Sequence, residues 1–147
     1  MSYFTGICNM PTIRFPSTQC ILALACHHNH ELQHVDIEGA YLNRILEDDV
    51  YMCQHKGFIE KGKEHLVCKL NKGIYGLKQS GRVWHCTLRN KLEKTGFTPG
   101  NTDSTIYFGF GKNGSIQLAG WYINNGLLAA DSTESMEHMI KDIRGSF

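Results

Sequence analysis

Hydrophobic residues recur at helical spacing in two stretches of the chain, and a third stretch begins with a helix start signal. The clearest is residues 80–94, where apolar side chains fall three to four positions apart and Gly96 follows as a stop signal: Val83, Trp84, Leu88 and Leu92. Residues 17–26 also favour a helix, and their Ser/Thr start predicts an N-cap. A third helix is predicted over residues 132–143, because Asp131 followed by Glu134 resembles a capping box.

Between these helices, short apolar or alternating runs predict strands. The predicted strands are residues 32–37, 50–53, 65–70, 105–110, 115–122 and 127–130. A short helical turn is expected over residues 38–43, and Gly111-Lys112-Asn113-Gly114 favours a hairpin. Because strands follow one another locally and helices interrupt them, the pattern predicts an α+β fold with an antiparallel sheet backed by helices.

Size and composition limit the classes of protein that remain. With 147 residues and 41% hydrophobic content, the chain can form one domain or a piece of one. No apolar run approaches the length of a membrane span, and the start lacks the features of a signal peptide. The six cysteines form no CxxC pair, so we expect reduced, buried thiols. An intracellular protein of the cytoplasm or nucleus, with no membrane partner, is the expectation.

Charge is distributed unevenly although the net charge is only +1. Ten of the fifteen basic residues lie between Lys56 and Lys94, against three acidic residues in the same stretch. Such a block is expected of a phosphate-binding face, but taken alone it is more often a solvated helix and loop surface. Spacing alone leaves both interpretations open.

Three ordered blocks of residues resemble the reverse transcriptases of copia-type LTR retrotransposons. The first block is Val35-Asp36-Ile37-Glu38-Gly39-Ala40-Tyr41-Leu42-Asn43, followed by Asp49-Val50-Tyr51-Met52 and Gly57-Phe58. The second is His65-Leu66-Val67-Cys68-Lys69-Leu70, followed by Ile74-Tyr75-Gly76-Leu77-Lys78-Gln79-Ser80 and Trp84. The third, Trp121-Tyr122-Ile123-Asn124-Asn125, stands where the family reads Tyr-Val-Asp-Asp. The resemblance implies a palm with partial fingers in a single partial domain over residues 1–147, without thumb or RNase H.

By this resemblance, Asp36 is the surviving metal ligand of the site that joins nucleotides. Two magnesium ions would there be held by oxygen ligands and would clamp the attacking and leaving oxygens of phosphoryl transfer. Asn124 and Asn125 occupy the positions of two aspartates, so three carboxylates become one. Binding of Mg²⁺ to this chain is therefore doubtful, and we expect it to be catalytically inactive.

The same resemblance assigns further residues to the substrates. The nucleotide-binding set comprises Ile37, Tyr41, Tyr75, Gly76, Lys78 and Gln79. Arg82 and Tyr122 are expected to contact the nucleic acid. The implied partners are an RNA or DNA template-primer and a deoxynucleoside triphosphate, with the remainder of a retrotransposon polyprotein missing.

Two functions of different classes follow from the residues. One is a fragment of an RNA-directed DNA polymerase that no longer catalyses synthesis. The other is a host-adopted module that binds nucleic acid or a protein without catalysis. A polymerase that tolerates Asn124 and Asn125 is a third possibility, which the loss of ligand charge disfavours.

Overall fold

The computed structural model describes residues 11–40 and 45–145. Its helices and strands are α1 (Phe15–His27), β1 (Glu31–Asp36), β2 (Ile45–Cys53), β3 (Val67–Lys72), α2 (Lys78–Lys94), β4 (Thr98–Pro99), β5 (Ile106–Phe110), β6 (Ile116–Tyr122), β7 (Asn125–Ala130) and α3 (Thr133–Arg144). All the strand pairs in this part of the chain are antiparallel. The α+β fold with an antiparallel sheet is thus confirmed.

Five strands form one sheet in the order β1-β7-β6-β5-β4, and β2 pairs with β3 in a separate two-stranded ribbon. Turns join β5 to β6 and β6 to β7, so strands that are consecutive in sequence are neighbours in the sheet. The edge strand β1 comes from a distant part of the chain and pairs with β7, which places Asp36 opposite Asn125. The end of β1 therefore lies beside the turn that precedes β7.

Helices cover both faces of the five-stranded sheet. Successive strand residues point to opposite faces, and on β6 Leu118 and Ala119 accordingly belong to different core clusters. Helices α2 and α3 cover the face of Ala119 and contribute the larger core: Trp84, Leu88, Leu92, Met136, Met139, Ile140 and Ile143. Helix α1 covers the other face through Ile21 and Ala25. The expectation that residues 80–94 and 132–143 back the sheet is confirmed.

The end of α2 is as its sequence predicts. Gly96 has φ +91°, its N–H donates to the Glu93 carbonyl at 3.1 Å, and the Phe97 N–H donates to the Leu92 carbonyl at 2.9 Å. This pair of bonds is the Schellman arrangement, in which a residue in the left-handed region satisfies the last helix carbonyls. A glycine is required there by the backbone conformation.

Two predicted helix starts are wrong. α1 begins at Phe15, with Arg14 as N-cap and no side-chain cap, because Pro16 suits the first turn and Ser17 has another partner. α3 is capped by Ser132, whose hydroxyl accepts from the Ser135 N–H. Asp131 lies one residue before this cap, and its carboxylate accepts from the Asn113 amide at 2.6 Å.

Several other predicted boundaries shift. The ribbon strands are longer or displaced, because β2 already begins at Ile45 and β3 continues through Lys72. The expected helical turn over residues 38–43 is described as a turn up to Ala40, and its remainder lies outside the described residues. No helix in the described part of the chain is long and apolar enough to cross a membrane.

The prediction of buried cysteines is wrong for the five that the structure describes. All five are free and exposed: Cys20, Cys26, Cys53, Cys68 and Cys86. In α1 the buried residues are Ile21 and Ala25, so Cys20 and Cys26 each lie one position away from a buried residue. The apolar character of a segment does not reveal which of its residues face the core.

Asp103 links the start of α1 to the strands of the sheet. Its carboxylate accepts from the Ser17 hydroxyl at 2.6 Å, the Arg14 N–H at 3.3 Å and the Thr105 N–H at 3.0 Å. Burial alone would raise the pKa of Asp103, but the hydrogen bonds from Ser17, Thr105 and Arg14 outweigh it and lower the pKa to about 2. The folded state therefore favours the ionised carboxylate.

We expect Asp103 to make the fold acid-sensitive. A lowered pKa gives stability that is complete above the ordinary pKa of aspartate, and this stability is lost as the pH falls from about 4 to about 2. Urea unfolding across this range should show a smaller loss of stability for Asp103→Asn than for the wild type. The pKa of Asp131 is also lowered to about 2, but this residue is present in both proteins, so its contribution cancels when their losses of stability are compared. Equal losses in the two proteins would contradict the role of Asp103.

Candidate functional site

A two-residue turn, Ile123-Asn124, joins β6 to β7, with Tyr122 paired to Asn125 across it. Ile123 has φ +60°, a conformation that suits the twist of a hairpin and that glycine adopts most easily. For a β-branched residue it is strained, by roughly 1–3 kcal/mol. The turn persists because its surroundings hold it in place.

Trp84 of α2 is one of those surroundings. Its indole Nε1 donates to the carbonyl of Ile123 at 2.9 Å, and its side chain is 1% exposed in the core between α2 and the sheet. The half-buried Ile123 side chain packs against the same core. A hydrogen bond and apolar packing thus fix the tip of the hairpin to α2.

The end of β1 is joined to this turn by main-chain bonding. Asp36 is the register partner of Asn125, and the ladder continues one residue further, where the Ile37 N–H donates to the Asn124 carbonyl at 3.0 Å. The side chains of Asp36, Asn124 and Asn125 are therefore brought together, although β1 and the turn lie far apart in the sequence.

Hydrogen bonds connect these three side chains. Asn124 Nδ2 donates to Asp36 Oδ1 at 2.5 Å and approaches the Ile37 carbonyl at 3.5 Å. Asn125 Nδ2 donates to Asn124 Oδ1 at 3.2 Å. Since carboxylate and carbonyl oxygens can only accept, they determine which end of the Asn124 amide faces them. The amide nitrogen faces Asp36, and its oxygen faces Asn125.

This donor set does not fit a pair of magnesium ions. Magnesium prefers several oxygen ligands in octahedral geometry and is most often held through carboxylates. Here one carboxylate remains, it already accepts an amide N–H, and the Asn124 oxygen accepts another. Elsewhere in the described ranges, too, no group of three or more His, Cys, Asp or Glu residues is placed to hold a metal.

The other residues that the resemblance assigns to the nucleotide lie in two places. Tyr75 and Gly76 are in the loop between β3 and α2, where Tyr75 is 61% exposed. Gly76 has φ +92°, and a Cβ there would meet nothing within 4 Å. Glycine is therefore favoured by the backbone conformation and not by crowding. Ile37 lies next to Asp36, and both its N–H and its carbonyl face Asn124.

The side chains of three members of the predicted nucleotide set lie outside the described residues. Tyr41 lies outside the described residues. Lys78 and Gln79 form the backbone of the first turn of α2, and their side chains likewise lie outside the described part of the chain. The two residues assigned to nucleic acid are both exposed: Arg82 on α2, and Tyr122, with 54% exposure, beside the turn.

The basic block is spread over the β2–β3 ribbon, its connecting loop and α2. Among the described residues, ion pairs join members of the block to acidic neighbours: Lys63 to Glu60, Lys69 to Asp49, and Arg89 to Glu93. Part of the block is therefore neutralised within the chain. A single phosphate-binding face remains a prediction.

Sequence reasoning misses what Trp84 and Ile123 do for the site. Helical spacing places Trp84 correctly in the core, but it cannot show the hydrogen bond to a carbonyl 39 residues away. A tryptophan on a buried helix face is nevertheless a signal, because its N–H usually finds an acceptor.

Comparison with known proteins identifies the family to which this chain belongs. The family model described as reverse transcriptase (RNA-dependent DNA polymerase) matches residues 3–147. The chain belongs to this family, and the resemblance to copia-type retrotransposon reverse transcriptases is confirmed. No solved structure gives a significant match.

Among its curated relatives are Pol polyproteins of plant transposons. The chain is 33% identical over 138 residues to the retrovirus-related Pol polyprotein from transposon TNT 1-94 of Nicotiana tabacum, a match covering 93% of this chain and 10% of that protein. It is 31% identical over 137 residues to the one from transposon RE2 of Arabidopsis thaliana, covering 93% of this chain and 9% of that protein. The chain thus spans about a tenth of the length of these relatives.

Proposed function

We propose that this chain is a palm-like part of a copia-type reverse transcriptase that does not catalyse DNA synthesis. The observation that carries the proposal is the 2.5 Å hydrogen bond from Asn124 Nδ2 to Asp36 Oδ1. The carboxylate that would have to face a divalent cation is hydrogen-bonded to an N–H donor instead. Membership of the reverse transcriptase family supports the ancestry of the site, and its donor set supports the loss of chemistry.

The charge of the cluster supports the same conclusion. Two divalent ions and a triphosphate are stabilised by carboxylates that neutralise the cations, and an amide oxygen brings no net charge. Asp36 alone would leave most of that positive charge unbalanced within the protein. The substitution changes the charge of the cluster far more than its shape, because asparagine and aspartate are almost isosteric.

Family membership also supports the partners that we propose for the surrounding surface. A template-primer would meet an exposed guanidinium at Arg82, which suits a phosphate oxygen. Tyr75 and Tyr122 present exposed aromatic rings on which a base or sugar could stack. These are the ligands of the proposed ancestral enzyme, and retention of binding after loss of catalysis is part of the proposal.

Primer extension tests the proposal directly. On a homopolymer template with matching triphosphate, the wild-type chain should incorporate no more nucleotide than Asp36→Asn, with either Mg²⁺ or Mn²⁺ present. Asp36→Asn supplies the background because it removes the last carboxylate of the cluster. Extension by the wild type clearly above that background would show that the site still works and would overturn the proposal.

A further inference from the structure

We propose that Asp36, Asn124 and Asn125 form a hydrogen-bonded latch that replaces the metal and makes this part of the fold independent of divalent cations. In this view Asn124 stabilises the chain, and an aspartate at that position would weaken it in the absence of metal. The inference goes beyond the loss of catalysis, because it assigns the asparagines a structural role of their own.

The hydrogen-bonding capacity of Asn124 is used almost completely inside the cluster. Its amide nitrogen has two hydrogens, which face Asp36 Oδ1 at 2.5 Å and the Ile37 carbonyl at 3.5 Å. Its amide oxygen accepts from Asn125 at 3.2 Å, and its main-chain carbonyl accepts from the Ile37 N–H at 3.0 Å. One residue of the turn therefore bonds to both the strand end and its own neighbour.

Charge makes the bond to Asp36 the important one. A hydrogen bond to an ionised acceptor is stronger than one between neutral groups, and Asp36 supplies the carboxylate acceptor of the latch. Asn125 contributes a longer bond between two neutral amides. We therefore expect position 124 to matter much more than position 125.

An aspartate at position 124 would reverse the interaction. A carboxylate oxygen would take the place of the amide nitrogen and would face two acceptors, Asp36 Oδ1 and the Ile37 carbonyl. Like charges at that separation repel unless a cation lies between them. Because Asp36 is exposed, water screens part of this repulsion, and the effect should be moderate.

Thermal unfolding of the 147-residue chain in a chelator measures the latch. Asn124→Asp should lower the melting temperature by roughly 3–8 °C, from loss of one charge-assisted hydrogen bond and added repulsion. Asn125→Asp should lower it less. Asn90→Asp, which adds one carboxylate at an exposed position of α2, is the matched control and should leave the melting temperature nearly unchanged.

Exchanging the partners provides the decisive variant. In the double variant Asp36→Asn/Asn124→Asp, an amide at position 36 can donate to a carboxylate at position 124, so the bond is restored with reversed polarity. The melting temperature should return most of the way to the wild-type value, although Asp36→Asn and Asn124→Asp each lower it. Additive losses in the double variant would show that the two side chains do not interact, and would overturn the latch.

Addition of Mn²⁺ separates the latch from the proposed loss of activity. Mn²⁺ should raise the melting temperature of Asn124→Asp, which offers two adjacent carboxylates, and should leave the wild type unchanged. An equal rise in the wild type would mean that the three side chains bind a cation, and it would overturn the latch. Primer extension by the wild type would refute the proposed function. The latch is decided by the melting temperatures in the chelator, which do not depend on activity.

Discussion

Replacing Trp84 with alanine should lower the free energy of unfolding by about 3–5 kcal/mol, the usual range for a buried aromatic side chain. The Trp84 side chain is 1% exposed between α2 and the sheet, and its Nε1 donates to the carbonyl of Ile123. The change would therefore remove core packing and the bond that holds the strained hairpin turn. Urea unfolding followed by far-ultraviolet circular dichroism measures the loss without relying on tryptophan fluorescence.

Trp84→Phe separates the two contributions. Phenylalanine keeps much of the buried ring but removes the N–H, so the Ile123 carbonyl loses its indole donor, at a cost of about 1–3 kcal/mol. Phe58→Ala is the control, because Phe58 is 82% exposed and its truncation should change stability by less than about 0.5 kcal/mol. Similar losses for Trp84→Ala and Phe58→Ala would mean that Trp84 does not anchor the turn.

Gly126→Ala should destabilise the protein by about 1–3 kcal/mol through overpacking. Gly126 lies in β7 between Val35 of β1 and Trp121 of β6. A Cβ at this position would come within 2.8 Å of Trp121 Cη2 and Cζ3, and equally close to Val35 Cγ2. Since the tryptophan ring is rigid and 2% exposed, it cannot move aside without disturbing the core.

Gly120→Ala is the matched comparison for this variant. A Cβ at Gly120 would also meet side chains, but these are the Cδ1 ends of Ile13 and Ile21, which can adopt other rotamers. Urea denaturation midpoints should therefore fall further for Gly126→Ala than for Gly120→Ala. The reverse order would indicate that the Trp121 ring does not pack over Gly126 as the structure shows.

Local patterns predicted the parts of the fold that depend on local physics. The apolar spacing that forms α2 and the glycine that ends it both act within a few residues, and both predictions are confirmed. The predicted caps of α1 and α3 are wrong, since Ser17 and Asp131 bond to partners in other parts of the chain. A side chain with two possible roles cannot be assigned from its neighbours in sequence alone.

The candidate site was predictable in position and only partly in chemistry. The resemblance placed Asp36 beside the turn, and the register of β1 against β7 places it there. The orientation of the Asn124 amide, the bond from Trp84 and the positive φ of Ile123 could not be deduced, because each depends on contacts between distant segments. Exposure of Cys20 and Cys26 was missed for a related reason, since periodicity leaves an uncertainty of one position about which residues are buried.

The way the β6–β7 turn is held separates its shape from its chemistry. Its main chain is fixed by the strand ladder, the bond from Trp84 to Ile123 and the bond from Ile37 to Asn124, in which the side chains at positions 124 and 125 take no part. Mutations at those two positions can therefore change the groups displayed at the hairpin tip, and the stability that the latch adds, while the main-chain bonds still set the path of the turn. Such a scaffold can lose one chemistry by single substitutions and remain available to acquire another.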